Sequence, residues 1–308
     1  MRILYKTIGL GLNLWSLVAP RSATRGVYTL FATPPKPELR PKELAFLSTA
    51  EQRHGRAAGH EIVEYHWGPE GGPLVLLAYG WGYNAGRWRH FVPTLAAAGF
   101  HVLAYDPPGH GLNKGERYLN LVVNSAIQTD LLERYGPAAA ILAHSFGGTS
   151  AVLTLEKLPA LQRPLRMVLM ASFSNASKVF SQYRRHLGLW PALYQRMLRA
   201  IEHNVGMSVH DFDMARMSAR LGNVAALIVH DPADGVTPFS NAQRYHAYWP
   251  GSALLRANGA GHHLGTTEVT NNILQFLTKG LLPEAVEMEG RHLPADHDLV
   301  RFFAGMEV

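Results

Sequence analysis

The sequence contains no cysteine among its 308 residues. This absence excludes disulfides, thiolate metal ligands and cysteine nucleophiles, and it fits a reducing compartment. Charged residues are also few, at 17%, whereas apolar residues make up 47%, which is the balance of a globular protein with a sizeable core. The chain has no recognised nucleic-acid motif, Walker-type phosphate loop, dinucleotide-binding glycine pattern or H-E-x-x-H spacing. We therefore expect no nucleic-acid partner, no cofactor and no metal.

The net charge of +6 is unevenly distributed along the chain. Residues 1–56 and residues 160–221 each carry nine Lys/Arg against three Asp/Glu, whereas the segments between and after them are net negative. Basic segments of this kind attract an anionic surface or substrate.

The N-terminal segment fits three interpretations: a membrane span, a signal peptide or a surface helix. The apolar run from Thr7 to Pro20 is shorter than the ~20 residues of a span, and no clear cleavage site follows it. Apolar residues recur at helical spacing at Leu4, Ile8, Leu12 and Trp15. This pattern favours an amphipathic helix that lies either on the protein core or on a membrane surface. We expect a cytoplasmic protein that can associate peripherally with a membrane through this helix.

Short apolar runs alternate with helical patterns over most of the chain. The predicted strands are Glu61–His66, Leu74–Tyr79, His101–Tyr105, Ala139–His144, Arg166–Ala171, Ala225–His230 and Ala253–Arg256. The predicted helices are Lys42–Gln52, Arg87–Ala98, Leu119–Tyr135, Gly147–Leu158, Asn241–Tyr248 and Val269–Thr278. Strands that alternate with helices predict an α/β protein with a mostly parallel sheet between helical layers.

Three regions follow from this pattern. Residues 1–57 form an N-terminal amphipathic helix and a proline-rich linker, residues 58–280 the α/β domain, and residues 281–308 a tail without an assigned role. Residues 173–223 contain no predicted strand and mix aromatic residues with arginines, so we predict a helical lid inserted between two strands. A peripheral helical bundle is the alternative. The aromatic residues that we name as substrate contacts in this insert are Phe180, Tyr183, Trp190 and Tyr194.

The residues that follow the predicted strands carry the chemistry. Ligands of a parallel sheet bind beyond the carboxyl ends of its strands. The stretch "AHSFGG" places Ser145 directly after one strand and before two glycines, as a sharp turn into a helix requires, although a serine that only caps the helix would look similar. The turns "YGWG", "DPADG" and "GAGHH" follow other strands. A hydroxyl, a carboxylate and an imidazole thus reach one sheet edge, in that order along the chain.

These motifs and their order resemble the α/β-hydrolase superfamily over roughly residues 58–280, in its lid-bearing esterase, monoacylglycerol-lipase and C–C hydrolase group. The resemblance implies the α/β-hydrolase fold and a catalytic triad. Ser145 would be the nucleophile, His262 its base and Asp234 the acid that orients the base. The backbone N–H groups of Trp81 and Phe146 would form the oxyanion hole.

Two assignments within the triad have competitors. His263 neighbours His262, and Asp231 lies close to Asp234. We prefer His262 because it follows the glycine as in the family. We interpret Asp231, which directly ends a strand, as a turn or cap residue.

The chain departs from the family pattern at three positions. Tyr79 replaces the usual histidine before the first loop glycine, Ala143 replaces the first glycine of the serine turn, and Asn113 stands where serine is common. Asp106 and His110 are interpreted as residues that fix a loop, and His144 as a packing residue.

The resemblance implies a serine hydrolase that cleaves a small-molecule carboxylic ester, with an apolar acyl part, through an acyl-enzyme on Ser145. Thioester or C–C bond hydrolysis with the same triad is one alternative, and a non-catalytic ligand-binding protein on the same fold is another. Epoxide hydrolysis and dehalogenation are disfavoured, because those relatives carry aspartate where this chain has serine. The sequence leaves the oligomeric state open.

Overall fold

The computed structural model describes residues 2–36 and 38–288, and a nine-stranded sheet lies at the centre of this part. Its strands are β1 (Glu51–Ala57), β2 (His60–Trp67), β3 (Leu74–Ala78), β4 (His101–Asp106), β5 (Ala140–His144), β6 (Arg166–Met170), β7 (Ala225–His230), β8 (Ala253–Arg256) and β9 (Val286–Glu287). The spatial order is β1-β2-β4-β3-β5-β6-β7-β8-β9. The strands from β4 through β8 pair in parallel, and antiparallel pairs flank them at both edges.

Helices cover the sheet and form an additional layer above one end of it. They are α1 (Arg2–Val18), α2 (Pro20–Ala32), α3 (Pro41–Leu47), α4 (Val92–Ala97), α5 (Leu121–Tyr135), α6 (Phe146–Lys157), α7 (Ala176–Leu187), α8 (Pro191–Val205), α9 (Met214–Met217), α10 (Ser240–Tyr248) and α11 (Thr267–Lys279). Short 3₁₀ turns lie at Ala85–His90, Ala160–Gln162, Val209–Asp211 and Ser218–Arg220.

All seven predicted strands are confirmed, with ends that agree within one residue. Strands β3, β4 and β5 are buried along their whole length, and helices shield both faces of parallel strands. Such strands therefore appear in the sequence as continuous apolar runs, which makes them easy to recognise.

Two predicted helices were wrong in part. The predicted helix Lys42–Gln52 ends at Leu47, and the chain then enters β1, an exposed polar strand that shows no alternation and exists because it pairs with β2. The sheet thus begins at Glu51, inside the segment that the sequence assigned to the N-terminal linker. The predicted helix Arg87–Ala98 is a 3₁₀ turn followed by α4. Pro93 lies in the first turn of α4, where its missing N–H costs nothing, but it could not continue a preceding helix.

Local capping explains where the main helices begin and end. The side chains of Asn120, Asn175 and Thr266 accept hydrogen bonds from backbone N–H groups in the first turns of α5, α7 and α11. Gly188 and Gly206 end α7 and α8 in the left-handed conformation, with φ of 69° and 73°.

The N-terminal segment forms two helices, α1 and α2, that pack as a hairpin on α7 and α8. Asn13 is buried in this contact. Its amide donates to the Gly188 carbonyl at 2.9 Å and accepts from the Trp190 N–H at 2.9 Å. Gly9 allows close approach, because a Cβ there would lie 1.8 Å from the Leu187 carbonyl oxygen. In the described part of the chain, no helix has the length and apolarity needed to cross a membrane.

The insert between β6 and β7 is helical, as predicted, and consists of α7, α8, α9 and two 3₁₀ turns. Within the insert, an isolated bridge joins Asn175 to Asp213. An ion pair between Asp213 and Arg244 of α10 ties the insert to the sheet domain. The opening and closing of this insert as a lid stays a prediction. The tail from Glu289 to Val308 lies outside the described residues.

Candidate active site

The structure brings Ser145, Asp234 and His262 to the same edge of the sheet. Ser145 follows β5, Asp234 lies on the loop after β7, and His262 on the loop after β8. This edge is formed by the carboxyl ends of the parallel strands, where open α/β sheets bind their ligands.

Ser145 lies in a sharp turn between β5 and α6. Its φ of 51° and ψ of −122° are strained for a residue with a side chain, and its N–H donates to the Met170 carbonyl at 2.8 Å. The two following glycines are required by close packing: a Cβ on Gly147 would lie 2.3 Å from the Tyr79 carbonyl oxygen, and one on Gly148 would lie 2.2 Å from Ser172 Oγ. The turn therefore holds the serine at the N-terminus of α6.

The loop after β3 passes directly over this serine. A Cβ on Gly80 would lie 2.9 Å from Ser145 Cβ and 3.0 Å from His144 Nδ1, so the close approach requires glycine. The next residue, Trp81, contacts Phe146 with ring centroids 5.0 Å apart. Phe146 opens α6, and the N–H groups of a first helical turn have no partner within their helix.

Asp234 and His262 are joined by a hydrogen bond of 2.8 Å between Oδ2 and Nδ1. The other carboxylate oxygen of Asp234 accepts from the N–H groups of Val236 and Thr237, at 2.7 and 3.0 Å. Burial favours the neutral carboxyl, but hydrogen bonds from His230 and His262 outweigh burial and hold the pKa of Asp234 well below its usual range. Asp234 is thus an ionised group that fixes one ring nitrogen of His262.

Two neighbours hold the loop that carries His262. The Asp231 carboxylate accepts from the N–H groups of Ala233 at 2.8 Å and Gly261 at 2.5 Å. His144 Nε2 donates to the His262 carbonyl at 2.8 Å, and the two imidazole rings lie 4.8 Å apart. Burial lowers the pKa of His144 well below its usual value, which keeps it neutral. Asp231 and His144 thus bind backbone groups next to the site.

The imidazole of His262 lies beside the residue that precedes Ser145. Within the described ranges, no hydrogen bond joins the Ser145 hydroxyl to His262. Hydrogen bonds between a nucleophile and its base are often long without substrate and shorten when it binds.

The loop after β4 supports the loop after β3. The Asp106 carboxylate, fully buried, accepts from the Tyr79 and Tyr65 hydroxyls at 2.6 and 2.7 Å. It also accepts from the N–H groups of Ala85 and Leu112. Tyr79 therefore ties the end of β3 to Asp106 at the position where the family usually has histidine.

His110 completes this support. Its Nδ1 donates to the Pro108 carbonyl at 2.9 Å, and its Nε2 accepts from the Gly82 N–H at 3.0 Å. Burial lowers the pKa of His110 to about 4, so the ring is neutral. Its Nε2 therefore keeps the lone pair that accepts the hydrogen bond from the Gly82 N–H. His110 and Asp106 therefore fix loops, which is the role that the sequence analysis predicted for them.

An apolar cavity adjoins Trp81 and Phe146. It has an empty volume of about 800 Å³, part of which opens to solvent. The lining residues are Tyr28, Phe31, Trp81, Leu119, Asn120, Leu121, Val122, Phe146, Phe173, Ala176, Val179, Phe180, Ile201, Val205, Val209 and Phe212. The apolar lining suits a ligand with an apolar part. Among the described residues, no three His, Asp or Glu side chains are grouped so as to hold a metal ion.

Comparisons with known proteins agree with this architecture. The family model for the alpha/beta hydrolase fold matches residues 73–224, and the model for TAP-like proteins matches residues 209–289. The chain belongs to the α/β-hydrolase superfamily. The family match supports a hydrolytic activity.

Individual relatives of this α/β-hydrolase share limited identity with it. Human monoglyceride lipase is 30% identical over 112 residues, which are 33% of this chain and 37% of that protein's length. A second relative is the dihydrolipoyllysine-residue acetyltransferase component of the acetoin cleaving system of Pseudomonas putida. It is 28% identical to this chain, and the match covers 75% of this chain and 72% of that protein's length. A carboxylesterase from Bacillus subtilis, CesB, superposes with a TM-score of 0.56 at 16% identity, covering 78% of this chain and 95% of its own. This last likeness concerns the fold.

The four aromatic residues that we named in the insert occupy different places in the α/β-hydrolase. Phe180 lines the cavity. Tyr183 donates its hydroxyl hydrogen bond to the Val27 carbonyl, Tyr194 lies under the Arg184 guanidinium, and Trp190 is 40% exposed. These three are not among the cavity-lining residues.

Three residues at the site escaped the sequence analysis. His230 is buried at the end of β7, with Nε2 3.3 Å from Asp234 Oδ2 and 2.7 Å from the Thr237 carbonyl. Its spacing of four residues from Asp234 was the available signal. Tyr28 and Phe31 line the cavity from α2, and no sequence pattern indicated that this helix would reach the cavity.

Proposed function

We propose that this protein is a serine hydrolase that cleaves carboxylic esters with an apolar acyl part. The observation that carries the proposal is the strained turn at Ser145 on the sheet edge that also holds the hydrogen-bonded pair of His262 and Asp234. A hydroxyl is a weak nucleophile until a base removes its proton, and an imidazole whose other nitrogen is bound by a carboxylate is such a base.

The proposed reaction proceeds in two stages. Ser145 Oγ attacks the ester carbonyl while His262 takes its proton, and Asp234 stabilises the imidazolium that forms. The N–H groups of Trp81 and Phe146 bind the oxyanion of the tetrahedral intermediate. His262 then protonates the leaving alcohol, and an acyl-enzyme on Ser145 remains. Water, activated by the same imidazole, releases the acid.

The cavity supports an apolar acyl part. Its wall is formed largely by aliphatic and aromatic side chains and includes Trp81 and Phe146, whose N–H groups would bind the oxyanion. An acyl chain in this cavity would therefore start at the reacting carbonyl. The sequence similarity to human monoglyceride lipase supports the same substrate class.

A panel of esters and thioesters of graded acyl length tests this proposal. We expect kcat/KM to rise with acyl length up to a limit, since each buried CH₂ contributes about 0.8 kcal/mol. Val205→Trp, which fills the cavity from α8, should move the limit to shorter chains. Gln195→Trp, on the exposed side of the same helix, is the matched control. A flat chain-length profile would contradict the assignment of the cavity, and faster turnover of thioesters would favour the thioester alternative.

A further inference from the structure

The outer face of α1 is an exposed apolar surface. On one side of the helix, Gly9, Asn13 and Ser16 are buried against the insert and α2. Away from this contact, the exposed apolar residues of α1 are Ile3 at 82%, Leu4 at 59%, Leu10 at 52%, Leu14 at 51%, Trp15 at 45%, Leu17 at 69% and Val18 at 87% exposure. Ile3, Leu10, Leu14 and Leu17 follow one another at spacings of seven, four and three, which places these four on one stripe of the helix. A contiguous stripe of this kind marks a site of interaction with a protein or a membrane.

The layer that carries this stripe is strongly basic. Residues 1–32 contain four Lys/Arg and no Asp/Glu, and residues 176–205, which form α7 and α8, contain five Lys/Arg and one Glu. The net charge of +8 on these two segments exceeds the +6 of the whole chain, so the rest of the chain is net negative. Exposed members of this basic set are Lys6, Arg21, Arg25, Arg185, Arg196 and Arg199.

We propose that the outer face of α1 docks on an anionic lipid bilayer, with α1 lying in the plane of the interface. An apolar stripe on a basic layer combines the two attractions that hold such helices to membranes. The absence of a membrane-spanning helix among the described residues fits a helix that lies on the surface. A second copy of this chain is disfavoured as the occupant, because it would bring two surfaces of the same large positive charge together.

Three helices of this basic layer, α2, α7 and α8, also line the cavity beside Trp81 and Phe146. Tyr28 and Phe31 of α2, Phe180 of α7 and Val205 of α8 line it, and the rings of Phe31 and Phe180 lie 4.5 Å apart. Docking through α1 would therefore hold helices that line the cavity near the bilayer surface. The docking itself does not depend on the catalytic assignment, so its test stands apart from that of the proposed function.

Vesicle flotation of the full chain tests the docking. We expect binding to vesicles of equal parts phosphatidylcholine and phosphatidylglycerol, less binding to phosphatidylcholine alone, and weaker anionic binding when the ionic strength rises about tenfold. Leu14→Glu with Leu17→Glu should reduce the partition coefficient at least about tenfold, which corresponds to about 1.4 kcal/mol. The matched control is Leu161→Glu with Leu165→Glu, which changes the charge equally at leucines 97% and 68% exposed, and it should keep binding.

A second pair of variants examines the basic residues without touching the apolar stripe. Arg196→Glu with Arg199→Glu should weaken binding to the anionic vesicles and leave binding to the neutral ones unchanged. Circular dichroism and thermal unfolding of each variant separate loss of docking from loss of folding. Equal binding to both vesicle types, unaffected by salt and by these changes, would overturn the proposal.

Two alternatives to lipid could instead cover the outer face of α1, and further measurements identify each of them. If the wild type is dimeric by sedimentation velocity, the glutamate pair on α1 is monomeric and neither binds vesicles, a second copy covers the face. If the full chain fails to bind but a chain that ends at Met288 binds, residues 289–308 cover it. Either result would contradict the proposal of a lipid surface.

Discussion

Asp231 and Asp234 lie three residues apart on one loop, but their carboxylates bind different partners. Asp234 holds His262 Nδ1 at 2.8 Å, whereas Asp231 accepts from the backbone N–H of Gly261. Asp234→Asn should lower kcat by about 10⁴-fold, because the amide cannot stabilise the imidazolium. Asp231→Asn keeps an oxygen that accepts from Gly261 and should cost far less. Steady-state kinetics of the two folded variants measures the ranking, and the reverse order would show that the acid is misassigned.

Gly80 tests how closely the loop after β3 must approach Ser145. Gly80→Ala adds a methyl 2.9 Å from Ser145 Cβ, so the loop must shift away and carry the Trp81 N–H with it. We expect a loss in kcat of about 10²–10³-fold, the cost of removing one oxyanion donor. Gly71→Ala, where the methyl meets open space, should leave kcat unchanged. Wild-type kcat in Gly80→Ala would argue against the Trp81 N–H as a donor.

Among individual residues, the sequence predicts those that follow buried strands. It does not predict those that reach the site only once the chain has folded. Ser145, Asp234 and His262 could be selected because each lies on a loop after a recognisable strand, in a motif that resembles the family's, and their catalytic roles stay predictions. His230 could not, since only the folded loop brings its Nε2 to Asp234 and Thr237.

Helix α1 is held on α7 by a close backbone contact at Gly9. Gly9→Ala would place a methyl 1.8 Å from the Leu187 carbonyl oxygen, so the hairpin must move off the insert. We expect the free energy of unfolding to fall by about 1–3 kcal/mol. Gly11→Ala meets nothing within 4 Å in the same helix and should raise it by up to ~1 kcal/mol. Urea unfolding of both variants measures the difference, and equal effects would contradict the packing of α1 on α7.

Elements differ in how visible they are in the sequence. The buried parallel strands appear as apolar runs, but β1 is polar and exposed and depends on its pairing with β2. The helical spacing of Leu4, Ile8, Leu12 and Trp15 predicted that this segment is an amphipathic helix. It did not predict which surface the helix packs against, because apolar side chains occur around much of the helix circumference. One side of the helix is buried on the insert and the other is exposed.

For the whole molecule, buried neutral histidines link stability to pH. Burial lowers the pKa of His110 to about 4 from 6.5 and that of His144 well below 6.5. Between pH 6.5 and 4 the unfolded chain therefore binds more protons than the folded chain, so the free energy of unfolding decreases as the pH falls. Burial also lowers the pKa of His101 and His263, which adds to this effect, whereas Asp106, whose pKa is raised by burial, acts in the opposite direction.

Urea unfolding at about pH 7.5 and about pH 5 measures this dependence. We expect lower stability at the acidic value in the wild type, and a smaller difference in His110→Gln, because one of these histidines is then absent. Glutamine keeps an oxygen that can accept from the Gly82 N–H. The same pH dependence in both proteins would show that His110 is not held neutral.

The central claim is that Ser145 is the nucleophile, and covalent labelling tests it most directly. A fluorophosphonate reacts with a serine that a neighbouring base has activated. We predict that the wild type gains one phosphonyl group, located by peptide mass on Ser145, and that a folded Ser145→Ala variant gains none. Labelling that persists in Ser145→Ala, or that maps to another residue in the wild type, would contradict the account.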